Sequence, residues 1–332
     1  MRRIPSATTQ LIPLILLILS SYSPAVAGGR SLIYREVNLA GIYSHRSASL
    51  DFHPMAPHSA AGFELLWKNS AGTPGRLNPD AADLHLQFVY DPVDDRVETR
   101  FQDAWVRFTE PTSGLQVRLG HFNLPFGLNP VAEPRGEVLQ PLAALDLGFK
   151  KDWGLAVQGQ WHGFACETAA TFGTADELRR RRGRYLWSGR IGIPTYRDVQ
   201  YGISLLYGTT SATGQPTSWR LATDLVYMYH EPFTTIKGEV AFGADGHTPV
   251  QGLLAGLTQI LPAYPLWGIE TQFRAWRREL QPEDLIRAES AIGLWRSLPG
   301  LLILRLHWRR HFSTESLHRD DQLFAQLYYY GY

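Results

Sequence analysis

From residue 83 to the end of the chain, apolar and polar side chains alternate with period two in segment after segment. No other feature limits the fold as strongly. Successive side chains of an extended strand point to opposite faces, so such a segment has one apolar face and one wet face. Leu84, Leu86, Phe88 and Tyr90 interleave with Asp83, His85, Gln87 and Asp91. The pattern returns at Trp153, Leu155, Val157 and Trp161, and again at Tyr185, Trp187, Ile191 and Ile193. It continues through Trp219 to Tyr229, through Ile236 to Phe242, and through Leu302 to Trp308. Chance alternation is common in one segment but not in six.

The segments predict about sixteen strands, near 33–44, 62–69, 83–91, 97–109, 115–122, 153–162, 164–173 and 184–194, then 199–209, 218–230, 233–244, 250–261, 266–278, 285–297, 300–312 and 322–332. From residue 97 onward short links alternate with longer ones. Glu110–Gly114, His162–Gly163, Pro194–Asp198, Glu231–Pro232, Pro262–Pro265 and Ser297–Gly300 are short. Asn123–Asp152, Gly173–Gly183, Thr210–Thr217, Asp245–Pro249, Glu279–Asp284 and Ser313–Asp321 are expected to be long. Transmembrane barrels have this asymmetry, with short turns at one end, long loops at the other, and an even strand number. The link from Ser70 to Ala82 breaks the rule, so the first three strands are the least constrained.

A soluble β-sandwich also has many short alternating strands. Its wet face would meet solvent and favour Lys and Glu, whereas the polar positions here carry Gln, Ser, Gly, His and Arg as well. The end of the chain discriminates further. Phe324, Tyr328, Tyr330 and Tyr332 fall at period two and close on an aromatic residue, resembling the C-terminal signal read by the outer-membrane assembly machinery. The expected fold is all-β, a transmembrane antiparallel up-and-down β-barrel.

The other end reads as an address. Arg2 and Arg3 precede an apolar run from Leu11 to Leu19, and Ala25-Val26-Ala27 supplies a small-residue cleavage site. Nine residues at about 1.5 Å each cannot cross roughly 30 Å of hydrocarbon, so the run is too short for an anchor. The expected division is a signal peptide over 1–27 and a barrel over 28–332 with a long constriction-type loop over 123–152. Beyond that run, no apolar stretch of helical spanning length occurs.

Composition fits a barrel in lipid: 10 Trp, 15 Tyr, 15 Phe and 30 Gly stand beside 3 Met and 1 Cys, as aromatic girdles and glycine-containing strands require. The lone Cys166 closes no internal disulfide. Without Arg2 and Arg3 the chain holds 30 basic and 31 acidic residues, a balance that suggests no nucleic-acid partner. Only Lys68, Lys150, Lys151 and Lys237 are lysines. The remaining positive charge is arginine, which forks onto carboxylates and phosphates, although a genome rich in arginine codons gives the same bias.

Ala104-Trp105-Val106-Arg107-Phe108, then Val117-Arg118-Leu119-Gly120-His121-Phe122-Asn123-Leu124-Pro125-Phe126-Gly127-Leu128, resembles the phosphate-selective porin O and P family. Lys151-Asp152-Trp153-Gly154-Leu155 is similar to that family's R-D-x-G-V strand start, with Lys151 in place of arginine. The resemblance covers residues 97–162 in motif detail and the rest in architecture only. It implies an outer-membrane channel in which the loop 123–152 folds inward as the constriction. A thirty-residue loop in a compact barrel is long enough to be functional. Its head, Leu124-Pro125-Phe126-Gly127, is stiff and apolar, and Glu133, Arg135, Glu137, Asp146, Lys150 and Lys151 supply its charges. A loop that merely covers the mouth is the plainer alternative.

Permeation through a watery lumen follows pore radius and the sign of the lining charge, without a catalytic group. Lumen candidates are Arg100, Arg118, Arg190, Arg220, Lys237, Arg274, Arg287, Arg305 and Arg309, with Glu98, Glu167, Glu239, Glu270 and Glu289 as counter-charges. Such mixed walls resemble a general or weakly anion-preferring channel. The lysine-rich ladder of the phosphate-specific members is absent. The run Arg179-Arg180-Arg181-Arg182 would suit lipopolysaccharide phosphates, or be a solvated loop.

No G-x-S-x-G, H-E-x-x-H, C-x-x-C or P-loop occurs. His53 and His58 lie in a proline-broken segment and make a poor metal pair, so neither metal nor cofactor is expected. An outer-membrane phospholipase, with Ser and His on the barrel's outer wall, is the enzymatic alternative, and a plugged structural or adhesive barrel is the third. Expected partners are outer-membrane lipid and lipopolysaccharide and small hydrophilic solutes, and the resemblance admits a homotrimer.

Overall fold

The structure, a computed structural model, describes residues 30–45, 49–51, 59–69, 79–91, 96–131, 140–145, 147–178, 181–210, 217–231, 233–278, 286–313 and 320–331. The segment 1–27, His53, His58, Glu133, Arg135, Glu137, Asp146, Arg179 and Arg180 lie outside these residues.

Among the described residues, seventeen strands form one antiparallel sheet. The first half holds β1 (Arg30–Ser44), β2 (Ser49–Asp51), β3 (Ala60–Lys68), β4 (Pro79–Asp91), β5 (Arg96–Thr109), β6 (Gln116–Asn123), β7 (Lys151–Trp161), β8 (Phe164–Thr171) and β9 (Tyr185–Gly192). The second holds β10 (Val199–Thr209), β11 (Ser218–His230), β12 (Phe233–Asp245), β13 (Thr248–Leu261), β14 (Tyr264–Arg278), β15 (Ile286–Leu298), β16 (Leu302–Ser313) and β17 (Asp320–Gly331).

From β3 to β17 each strand pairs with its neighbours in the chain, and β1 closes the ring. One edge of β1 runs against β17 from Arg35↔Gly331 to Ser44↔Gln322. The other runs against β3 from Arg30↔Lys68 to Asn38↔Ala60. The three-residue β2 continues that second edge against Ile42–Ser44, so the ring has sixteen staves and one short appendage. The sixteen expected strands are these staves, shifted by a few residues at most. Two details differ from expectation: β2 carries no alternation and was not foreseen, and the link between β12 and β13 is the two-residue turn Gly246-His247 rather than a long loop.

The ring is inverted relative to a water-soluble protein. On β10, Gln200, Gly202, Ser204 and Leu206 are buried while Val199, Tyr201, Ile203, Leu205 and Tyr207 are exposed. On β16, Arg305, His307 and Arg309 are buried while Leu304, Leu306 and Trp308 are exposed. Charged residues therefore face the interior and apolar ones the exterior, the arrangement of a wall in lipid. Aromatic rings cluster at one level of that exterior. Tyr207 lies in register between Trp187 and Trp219, and the Trp219 and Phe242 rings meet edge to face at 6.3 Å. No described helix is long and apolar enough to cross a membrane.

Short links turn the chain at one end. In the β5–β6 turn the Glu110 carboxylate accepts hydrogen bonds from the hydroxyl and backbone N–H of Ser113 and from the Thr112 N–H, which lowers its pKa to about 2. Because the folded value lies below the ordinary 4.5, this contribution to stability is full above that pH and is lost as pH falls toward 2.

Leu205 sits near the middle of β10 on the outward face. Replacing it with Arg is expected to destabilise the barrel by about 2–4 kcal/mol in urea titrations of the bilayer-inserted protein. A change within the error of the measurement would mean that this face does not meet hydrocarbon.

Candidate functional site

The link between β6 and β7 turns into the barrel. Its head is tied to the inward faces of β10 and β12, which fixes its direction. The Gly127 N–H donates to Ser204 Oγ at 3.0 Å, and Ser204 is one of the shielded residues of β10. Glu239, on the inward face of β12, accepts from the Leu128 N–H at 3.4 Å through Oε1 and from the Leu142 N–H at 3.1 Å through Oε2. One carboxylate thus holds both ends of the loop's described head. Gly127 has φ +52°, and a β-carbon there would collide with the Glu239 carboxylate, so glycine serves both the turn and the approach.

The wall is shaped to receive the loop. Phe122, Leu124, Phe126, Leu128, Leu142, Leu145 and Leu147 form one apolar cluster with Ala156, Ala169, Ala222 and Ala241 of β7, β8, β11 and β12. Small residues at inward positions leave a hollow that the loop's Phe and Leu side chains fill. Gly252 of β13 continues the hollow: a β-carbon there would run into Leu147 beside Leu142, in the single-turn 3₁₀ segment Leu142–Leu145. Full burial of a Phe or Leu contributes about 1.5–3 kcal/mol, so several such side chains anchor the loop more strongly than its polar ties alone.

Around this seat the arginines of the wall are matched with carboxylates. Arg190 of β9 forks onto Asp224 of β11, Nε to Oδ2 at 3.0 Å and Nη2 to Oδ1 at 2.6 Å. It reaches across β10 because Gly202 lies between, where a β-carbon would meet its guanidinium. Arg220 donates to Asp245 at 2.6 Å. Arg274 donates to Glu289 Oε2 at 2.7 Å and, through Nη1, to the loop carbonyl of Gln140 at 3.0 Å. Arg118 of β6 contacts Glu167 and lies 4.6 Å from the Phe122 ring centroid.

The remaining expected residues are spread more widely. Pro125 and Phe126 are buried in the loop head. Lys150 donates to Gln140 at 2.8 Å, and Lys151 pairs with Asp103 at 2.9 Å on the β5 side. Arg100 pairs with its strand neighbour Glu98 at 2.9 Å. Arg305 of β16 donates to Gln326 at 3.0 Å, and Lys237 lies two residues before Glu239 on the same face of β12. Arg135 falls outside the described residues. Asp224, Ser204, Gln140 and Gly252 were not singled out from the sequence. Gly252 lies in register between Ala241 and the large Trp276, a setting that the sequence alone does not show.

No family model and no curated protein matches this chain. Solved structures do. OmpF of Salmonella typhi in complex with daunomycin superposes with TM-score 0.68 at 8% identity, over 91% of this chain and 98% of that one. The chain has the fold of outer-membrane porins. An anion-selective porin from Comamonas acidovorans gives TM-score 0.64 at 12% identity, over 91% of this chain and 100% of that one. The outer membrane channel DcaP of Acinetobacter baumannii gives 0.63 at 11%, over 93% and 99%. At such identities the porin likeness is one of architecture.

Glu239→Ala would leave two buried backbone N–H groups without their acceptor, at about 1–3 kcal/mol for each unsatisfied group. The variant is expected to keep its barrel, as heat-modifiable mobility, while proteases cut the loop head faster than in the parent. Unchanged cleavage would mean that the carboxylate does not hold the loop.

Proposed function

We propose that this protein is a porin-like channel of the bacterial outer membrane through which small hydrophilic solutes diffuse passively, with no catalytic step. The observation that carries this reading is the inverted barrel with its β6–β7 loop tied, through Glu239, to the inner face of β12. An apolar exterior suits lipid, and an interior lined with charged groups suits water and solutes. The loop then acts as the constriction, with Arg274 bonded to its Gln140 carbonyl and Arg118 and Arg190 lining the cavity below Pro130.

The sign of the selectivity follows from the pairing. Arg118, Arg190 and Arg274 each meet a carboxylate in Glu167, Asp224 and Glu289. A field that is neutralised locally favours neither sign strongly, so weak anion preference at most is expected. The resemblance of residues 117–128 to the phosphate-selective porin family supports the inward loop without making phosphate the solute. Lipid and lipopolysaccharide are the proposed surroundings of the outer wall. A homotrimer is the proposed assembly, in keeping with the trimer form of OmpT from Vibrio cholerae, a structure at TM-score 0.63 and 9% identity.

Purified protein in planar bilayers is expected to give unitary conductance steps, with a small salt-gradient reversal potential toward the anion side. Arg118→Gln is expected to move that potential toward cations. A silent bilayer with correctly folded protein would remove the channel reading in favour of a plugged barrel. Lipid hydrolysis by the pure protein would replace it with an enzymatic one.

A further inference from the structure

Beneath the loop, between Pro130 and the β9–β10 turn at Pro194–Tyr196, lies a cavity of about 530 Å³. That volume is within the range of about 300–1,000 Å³ typical of small-molecule sites. Its lining is unusual for an ion path. Across adjacent strands the register places Gln116 (β6) beside Gln158 (β7), Gln158 beside Glu167 (β8), and Glu167 beside Arg190 (β9). With strands about 4.8 Å apart, four hydrogen-bonding side chains form one row along the inner wall. Gln160 adds a third glutamine one inward position from Gln158.

The charged members of this lining are already engaged. Arg118 is in contact with Glu167 and packs against the rings of Trp105 and Phe122, and Arg190 is forked onto Asp224. An anion would have to displace a carboxylate to reach either guanidinium. The amides are in the opposite condition: Gln116, Gln158 and Gln160 make no side-chain hydrogen bond among the described residues. The buried Oδ1 of Asn123, at the edge of the same cavity, has no hydrogen-bond partner among them either. Each glutamine offers two donors and an acceptor, so the wall presents both kinds of group without net charge. Tyr196 adds an exposed aromatic ring at the rim.

Unpartnered amides, a locally neutralised arginine–carboxylate pair and one aromatic ring are suited to a ligand that both donates and accepts hydrogen bonds and carries no charge. We propose that this cavity binds a neutral polyhydroxylated solute, a small carbohydrate of one or two rings. The proposal rests on the channel reading, because it names the solute class held beneath the constriction.

The test measures binding apart from transport. Maltose and inorganic phosphate are titrated calorimetrically into the full folded barrel in a polyoxyethylene detergent, which has no sugar headgroup to compete. Maltose is expected to bind and phosphate neither to bind nor to displace it. In the Gln116→Leu, Gln158→Leu double variant, maltose affinity is expected to fall about tenfold or more, which is about 1.4 kcal/mol or more. Heat-modifiable mobility and far-UV circular dichroism report whether that variant is folded. A conservative Gln158→Glu variant, which keeps an acceptor but adds charge, is expected to bind maltose more weakly than the parent.

Absence of maltose binding, displacement of maltose by phosphate, or undiminished affinity in the folded double variant would each overturn the proposal. A barrel that conducts but binds no maltose would lose this site and keep its channel. One that binds maltose but does not conduct would keep the site and lose the channel.

Discussion

Hydrocarbon offers no hydrogen-bond partner to a peptide group, so a chain that crosses it with strands must satisfy every backbone donor and acceptor within the sheet. An open sheet has two unsatisfied edges, and joining them is the only complete answer. In this protein the junction is β1 against β17. Closure creates an inside and an outside, and period two then assigns each side chain to one of them. The apolar exterior, the charged interior and the possibility of a solute path all follow from that one requirement.

The interior still has to be furnished, because a ring of this size encloses more space than its own side chains fill. Among the described residues this falls to the β6–β7 loop, whose apolar head packs where alanines and Gly252 leave room between larger wall residues such as Leu206 and Leu254, and whose backbone is tied to Glu239. The same carboxylate would be expensive if it were buried alone, and the two loop N–H donors are among the groups that make the position tenable. Asp224 is its register partner on the neighbouring strand, and the Arg190 fork keeps that second carboxylate from repelling it unopposed. Loop seating and charge pairing are one arrangement.

The staves were legible because lipid and water enforce alternation on every strand, so six independent segments carry the same message. The three-residue β2 was not, since a piece too short to show a period leaves no trace. Glu239 illustrates the limit for the site. Its inward position could be read from the pattern around Ile236 and Val240, but its role as a tether could not. That role depends on Leu128 and Leu142, which lie 111 and 97 residues away in the chain. The inward alanines were invisible for a related reason: a small side chain signals a hollow only once the bulky groups opposite it are known. The glutamine row beneath the loop needed the register of β6, β7 and β8, and hydrophobic patterning carries no register between strands.

Every tie and packing contact described for the loop falls on β5 through β14, while β1 and β17 meet at the seam on another arc of the ring. A curved ribbon of ten strands therefore already possesses the berth of the loop's described residues. Its furnishing does not have to wait for the seam, and the last hydrogen bonds can be zipped around contents that are in place. The seam of the ring and the seat of the loop are thus kept on separate arcs of the circle.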